Sequence, residues 1–338
     1  MSKLVRQKNV DQVFCLTRYK DHESFWSSIT SNIKRYNIDV HVSDIKAKTE
    51  LINIDLVQNY DSILPTLAKY KKEVNVVHHL AGDLTFSDSL EHFQPWVNTT
   101  KNLIQYCMDS KYPKQFYTLG SYGRYLLDSL DSLQNDKDFY WRNGYLQHKK
   151  WLHSYMLEKM NEGLKGVLFE PSFVVDTIDP GQDYAFWRIA RIFAALGYAF
   201  EYPMLCTPTD MLVDNYILAQ DYPDMSPKVM TPIIPQHLYV HKAVQKLLPK
   251  LKVVDYESFR QLIEQVMPKK LKYFSPNLLR GSKLTKIIAS YHPLYSNTKY
   301  TDMNPADYLS SCKSLVDAVE QGIKDKQAYI DMKKKAAT

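Results

Sequence analysis

Between Val13 and Glu170 short apolar runs alternate with helical segments, and this alternation restricts the fold of the chain more than any other feature. Val13-Phe14-Cys15-Leu16-Thr17 reads as a buried strand stopping at Arg18, and Asp21 to Arg35 as a helix capped near Asp21. Leu51 to Asp55 alternates like a strand, Ser62 to Tyr70 fits a short helix, and Val74 to Leu80 is a second apolar run closed by Ala81-Gly82. A helix over Thr99 to Asp109, opened by Asn98, puts Leu103, Tyr106 and Cys107 on one face. Gln115 to Leu119 is the next strand, ending at Gly120-Ser121. A polar loop over Asp136 to Gly144, a helix over Gly144 to Lys159 and a strand over Gly166 to Glu170, stopped by Pro171, complete the series. Strands and helices in this order predict an α/β fold: a parallel sheet with helices on both faces. Beyond Pro171 the pattern becomes irregular, punctuated by Pro203, Pro208, Pro223, Pro227, Pro232 and Pro235, and reads as a smaller lobe on the sheet's carboxyl edge.

Composition narrows the function classes. Basic residues number 43 against 37 acidic, a net charge of +6, and part of that is the tail Lys333-Lys334-Lys335, which reads as a solvated terminus and not as a nucleic-acid patch. The four cysteines, Cys15, Cys107, Cys206 and Cys312, are far apart and have no metal-ligand spacing, so they read as thiols in a reducing compartment. His78-His79 has no carboxylate or cysteine at ligand distance in sequence and reads as a pair of strand histidines, with no metal site. No apolar run reaches the roughly 18 residues of a membrane span. With no basic-then-apolar leader at its start, the chain is expected to be soluble and cytoplasmic.

One motif carries chemistry. Gly144-Tyr145-Leu146-Gln147-His148-Lys149 places a phenol and an ammonium four residues apart on one helix face. Carbonyl reduction near neutral pH uses such a pair, the phenol moving a proton and the cation lowering its pKa from about 10. The spacing itself is weak, since Tyr155/Lys159, Tyr295/Lys299 and Tyr329/Lys333 share it. Only Tyr145/Lys149 falls where the α/β pattern brings strand ends and a helix face into one crevice, together with Asn98 and Ser121.

This arrangement resembles the extended short-chain dehydrogenase/reductases, and within them the thioester reductases. Those are the terminal reductase domains of nonribosomal peptide synthetases, polyketide synthases, carboxylic acid reductases and aminoadipate reductases. The resemblance rests on Val13 to Arg18, Asp55-Leu56, Val76 to Gly82, Asn98-Thr99-Thr100, Gly144 to Lys149, Pro208-Thr209-Asp210 and Val254 to Phe259, and is strongest over Val13 to Asp176. It implies NADPH-dependent reduction of a thioester, delivered by an acyl carrier protein or coenzyme A acting in trans, to an aldehyde. It implies Tyr145 as proton donor, Lys149 on the nicotinamide ribose, Ser121 as donor to the developing oxyanion and Asn98 as support for the relay or the lysine. Arg18 would pair with the 2′-phosphate, Asp55 would sit near the adenine edge, and Ala81 and Gly82 would line the cofactor. It divides the chain into a Rossmann-like NAD(P)-binding domain over residues 1–180, a mainly substrate- or carrier-binding lobe over 181–330 and a basic tail over 331–338.

The chain also departs from that family. Met1 to Val10 looks like the end of the family's first helix, so the first strand and its Gly-rich turn are missing, and none of the ten glycines supplies a substitute. In the strand order 3-2-1-4-5-6 the missing strand is central, so Val13–Thr17 and Val74–Leu80 must pair directly or each leave an open edge. Gly120-Ser121 replaces Ser-Thr, Glu170-Pro171-Ser172 replaces Arg-Pro-Gly, and His153 stands where an acidic residue is usual after the lysine. The expectation is therefore double: a reductase, or a truncated or degenerate relative, a pseudoenzyme or binding module, that does not hold NADPH. A third possibility is that the missing strand is encoded upstream of Met1.

Overall fold

The structure is a computed structural model that describes residues 1–35, 38–83, 89–109, 111–124, 144–175, 185–201, 203–221, 223–225, 228–232, 238–266, 310 and 313–336. The chain forms two compact units: Met1–Glu170 with Tyr216–Met230, and Pro171–Asn215 with Thr231–Thr338. The polar loop expected over 136–144 lies, up to residue 143, outside the described residues.

The first unit is α/β with every strand pairing parallel, as the alternation predicts. Its strands are β1 (Val13–Thr17), β2 (Thr49–Asn53), β3 (Val76–His79), β4 (Gln115–Leu119) and β5 (Lys165–Phe169). β3, β4 and β5 lie side by side, and Val229–Met230 adds a short fourth strand beyond β5. β1 pairs with β2 alone, from Val13↔Thr49 to Thr17↔Asn53. Among the described residues the sheet is thus in two pieces, and β1 and β3 do not pair with each other. Direct pairing of β1 with β3, one of the two expected arrangements, is not seen among the described residues. Both pieces nevertheless share one core: Phe14, Leu16 and Val77 pack against the cluster that holds Ile52, Ile104, Phe116, Met156 and Leu168.

The three longest described helices of the first unit are α1 (His22–Arg35), α2 (Gln94–Cys107) and α3 (Gly144–Asn161). Asp21 caps α1 as predicted, its carboxylate accepting from Ser24 N at 2.6 Å and from Ser24 Oγ at 2.9 Å. α2 begins five residues before the expected Thr99, because Pro95 is preset for the first helical turn and follows directly on the Leu90–Phe93 turn capped by Ser89. Asn98 therefore sits within the helix and does not open it. The strand expected over Leu51–Asp55 begins two residues earlier, set by the β1 register.

The second unit has its own core, built from Val175, Phe193, Phe200, Val240, Phe259 and Leu315. Its helix α4 (Ala185–Leu196) packs closely on the helix Lys313–Ala336: a Cβ at Gly322 would lie 2.3 Å from the Arg191 carbonyl oxygen, and Arg191 pairs with Asp325 at 2.7 Å and 3.1 Å. No described helix is long and apolar enough to cross a membrane.

Two glycines of the first unit test how tightly β5 is specified. Gly166, at φ +146°, faces Phe116 across the ladder, and a Cβ there would come 1.8 Å from the Phe116 carbonyl oxygen. Gly163, at φ +109°, has open space around it. Gly166→Ala is expected to cost more than about 3 kcal/mol, and Gly163→Ala only about 1–2 kcal/mol of backbone strain, in denaturant unfolding. Equal losses would mean that the close approach of β4 and β5 is not what holds Gly166.

Candidate active site

Three strand ends and one helix face build the site. β4 ends at Leu119, and the chain turns over Gly120-Ser121, with Gly123 N donating to Ser121 Oγ at 3.1 Å and Arg124 N to Ser121 O at 3.2 Å. At its first residue α3 comes so near Ser89 that a Cβ at Gly144 would meet the Ser89 carbonyl oxygen at 2.2 Å, so this position requires glycine. That close start aims Tyr145, Lys149 and His153, each four residues apart, at the end of the sheet. Lys149 is 7% exposed, and its Nζ donates to the Leu119 carbonyl at 2.9 Å and lies 5.7 Å from the Tyr145 ring centroid. The Tyr145 hydroxyl hydrogen-bonds with Ser121. Ser121, Tyr145 and Lys149, predicted as partners, are brought together.

Burial sets the charges. Desolvation pulls the Lys149 pKa down to about 8, and the negative charge of Glu170 pulls it part of the way back. Desolvation also pushes the Tyr145 phenol above its ordinary value, and the Ser121 hydrogen bond only partly offsets this. The net shift of the phenol in this state is therefore upward, set by burial against the Ser121 hydrogen bond, and not the lowering expected from the lysine. At pH 7 the site holds an ammonium beside a neutral phenol.

The other predicted residues sit elsewhere. Asn98, in the second turn of α2, accepts from Gln94 Nε2 at 3.1 Å and is not joined to Lys149. Arg18 and Asp55 follow β1 and β2 at the same end of the small sheet, and Arg18 helps hold the Asp55 carboxyl below its usual range. The larger causes there are the backbone N–H groups of Gln58 and Val57, at 3.0 Å and 2.9 Å, so Asp55 closes a turn. Ala81 and Gly82 are exposed after β3, and Gly82 has nothing within 4 Å of where a Cβ would be.

Several residues around Lys149 escaped the motif reading. His79, at the end of β3, is buried with Nε2 3.2 Å from Thr100 Oγ1; since Thr100 donates to Trp96 O at 2.8 Å, its oxygen is placed to accept from the imidazole. His148 is 4% exposed and stacked on Phe93 at 5.1 Å, and neither ring nitrogen has a hydrogen-bond partner. Glu170, fully buried, accepts from Arg124 Nε at 2.6 Å and from His153 Nδ1 at 2.8 Å. The sequence signal for this last group was the set of departures at positions 120, 153 and 170. His78, the other strand histidine, is paired with Gln220 at 3.0 Å.

These residues fit one end of a nicotinamide dinucleotide. Lys149 spends one of its three donors on Leu119, and the space beside Gly82 is open. The pyrophosphate end has no glycine turn between a strand and a helix ahead of β1 among the described residues.

The imidazoles define a stability prediction. Burial lowers His79 to about 4 and His148 to about 3, from 6.5. The unfolded chain therefore takes up these protons first, and stability is complete above about 6.5 and lost as pH falls toward those values. At about 1.4 kcal/mol per unit for each group, the two together remove about 4 kcal/mol by pH 5. Urea unfolding should show this slope, and His148→Phe, which keeps the stack and removes one titration, should lose about half of it. An unchanged slope in that variant would refute the assignment.

The comparisons agree with the geometry. No curated protein sequence matches the chain. Among solved structures, the terminal R domain from the myxalamid PKS-NRPS biosynthetic pathway has a TM-score of 0.72 at 13% identity over 95% of this chain and 87% of its own. The PhqB reductase domain from Penicillium fellutanum gives 0.66 at 14% identity, over 94% and 89%. A thiolation-reductase di-domain from an archaeal non-ribosomal peptide synthetase gives 0.62 at 12% identity, over 95% and 70%. These likenesses establish a shared Rossmann-like reductase-domain fold. The profile of an NAD-binding family described as male sterility protein matches residues 1–214, and the chain belongs to that family.

Proposed function

We propose that this chain is a nicotinamide-dependent reductase of acyl thioesters. The observation that carries the reading is the Ser121–Tyr145–Lys149 cluster, held at the end of β4 with a neutral phenol beside a buried ammonium. The similar reductase domains of nonribosomal peptide and polyketide assembly lines support a thioester, on an acyl carrier protein or coenzyme A, as the substrate class. The nicotinamide, when bound, would supply a hydride to the thioester carbonyl carbon. The Tyr145 hydroxyl would donate its proton to the carbonyl oxygen as negative charge develops there, and its raised pKa keeps it protonated for that step. Ser121 Oγ would donate a hydrogen bond to the same oxygen. Lys149 would hold the ribose and stabilise the phenolate left on Tyr145. Loss of the thiol from the resulting hemithioacetal gives the aldehyde. The second unit would receive the acyl carrier, and Arg18, exposed at the end of β1, would select NADPH through its 2′-phosphate. Cys15 and Cys107 form no disulfide, which supports a reducing cytoplasmic setting.

A second reading has its own observation. Among the described residues β1 and β3 do not pair, and Arg18 and Asp55 stand on a separate small sheet with no glycine turn ahead of β1; this favours a relative that does not bind the dinucleotide.

Titration with NADPH separates the two. Micromolar binding, with Tyr145→Phe losing roughly 10²–10⁴-fold in kcat while the Kd for NADPH changes little, is the outcome for a reductase. No binding would support the second reading, and normal turnover by Tyr145→Phe would remove that residue as proton donor. Arg18→Ala should weaken NADPH by about tenfold and leave NADH nearly unaffected, consistent with loss of one charge-assisted contact. Equal weakening of both would refute its role in selection.

A further inference from the structure

Glu170 is 0% exposed at the end of β5, and a lone carboxylate in such a place is costly. Its Oε1 accepts from Arg124 Nε at 2.6 Å and from His153 Nδ1 at 2.8 Å, while Oε2 has no hydrogen-bond partner. It packs against Gly120: a Cβ there would lie 3.0 Å from Glu170 Cγ and 3.3 Å from Oε1. Gly120 directly follows Leu119, whose carbonyl holds Lys149, and its N–H donates to Phe169 O at 2.7 Å, one residue before Glu170. The carboxylate is thereby locked to the strand end that carries the ammonium, and its charge acts on Lys149. His153 lies one helical turn beyond Lys149 on α3.

Gly120, His153 and Glu170 meet in this one cluster: the glycine makes room for the carboxylate, and the imidazole and the Arg124 guanidinium clamp it.

We propose that Glu170, clamped by Arg124 and His153, is a positioning residue that keeps Lys149 an ammonium on the Leu119 carbonyl, where the reductase reading needs it. The inference rests on that reading for its effect on turnover, but the charge state of Lys149 is measurable without it. Facing groups come from each packed element: His79 from β3, Arg124 after β4, and Tyr145, His148 and His153 from α3. Of these, His79 and His148 are neutral throughout the range in which Lys149 titrates.

The experiment is NMR titration of the Lys149 side chain in the full-length protein without cofactor, assigned by its loss in Lys149→Met. The wild-type midpoint is expected at about 8. Glu170→Gln is expected to lower it by about one pH unit or more, since a neighbouring negative charge is removed from a buried cation. The alkaline limb of kcat/KM should move the same way. A merely structural role has the opposite sign, because loosened packing rehydrates Lys149 and returns its midpoint toward 10.5. A raised or unchanged midpoint therefore overturns the proposal. If Glu170→Gln does not melt cooperatively, the paired variant His153→Gln/Glu170→Gln exchanges the ion pair for two amides and is read in the same way. A lowered midpoint in a protein that binds no NADPH would sustain the charge coupling while the reductase reading falls.

Discussion

A parallel strand buried on both faces can satisfy its backbone only through its two neighbours, and β4 is the strand on which this constraint bears hardest. It is paired along its length with β3 on one side and β5 on the other. Phe116, Tyr117 and Thr118 are almost completely buried. The pairing fixes where β4 ends, and everything chemical in the first unit is measured from that end. The Leu119 carbonyl receives Lys149, Ser121 meets Tyr145, Gly120 admits Glu170, and Arg124 turns back onto the Glu170 carboxylate. A slip of β4 by one residue would exchange its two buried faces and move all four contacts together.

The site also shows how desolvation and local charge compete. Burial is the largest cause on both His79 and His148, the Lys149 charge pushes both the same way, and both are driven well below the physiological range. Lys149 is as deeply placed, yet it stops at about 8, because a carboxylate charge lies near enough to repay part of the penalty. The arrangement is a compromise: two buried cations, Lys149 and Arg124, one buried anion, Glu170, and the His79 and His148 imidazoles, which stay neutral and add no further positive charge. Replacing any of these by a group of the wrong charge would cost more than an exposed substitution, since little water is present to screen the change.

Much of this was legible in the sequence, and the exceptions have physical reasons. The strands from Val13 to Glu170 and the Tyr145/Lys149 helix follow from apolar patterning, because periodicity reports burial directly. The start of α2 was misplaced because an Asn before two threonines looks like a cap, whereas Pro95 had already fixed the helical backbone upstream. The direction of the Tyr145 shift was not legible, since it depends on how much water the fold removes and not on which residues are neighbours in sequence. The Glu170 cluster was visible only as three unrelated irregularities. Positions 120, 153 and 170 are joined by the sheet and by α3, and no local pattern connects them.

The split sheet gives the two ends of the expected dinucleotide site different foundations. Ser121, Tyr145 and Lys149 stand on the four-stranded piece, with paired ladders on both sides of β4. Arg18 and Asp55 stand on a two-stranded piece, and isolated pairs of strands are marginal unless a packed face supports them. That support is present here, since Phe14, Leu16, Ile52 and Ile54 belong to the same core as the larger sheet. Hydrophobic packing therefore does part of what a continuous ladder would do. It is less directional than hydrogen bonding, so it keeps the small sheet attached without fixing its register to β3. On the proposed reading, proton transfer and nucleotide selection would rest on separate physical supports, and substitutions on β1 or β2 would change cofactor discrimination before they disturbed the chemistry at the end of β4.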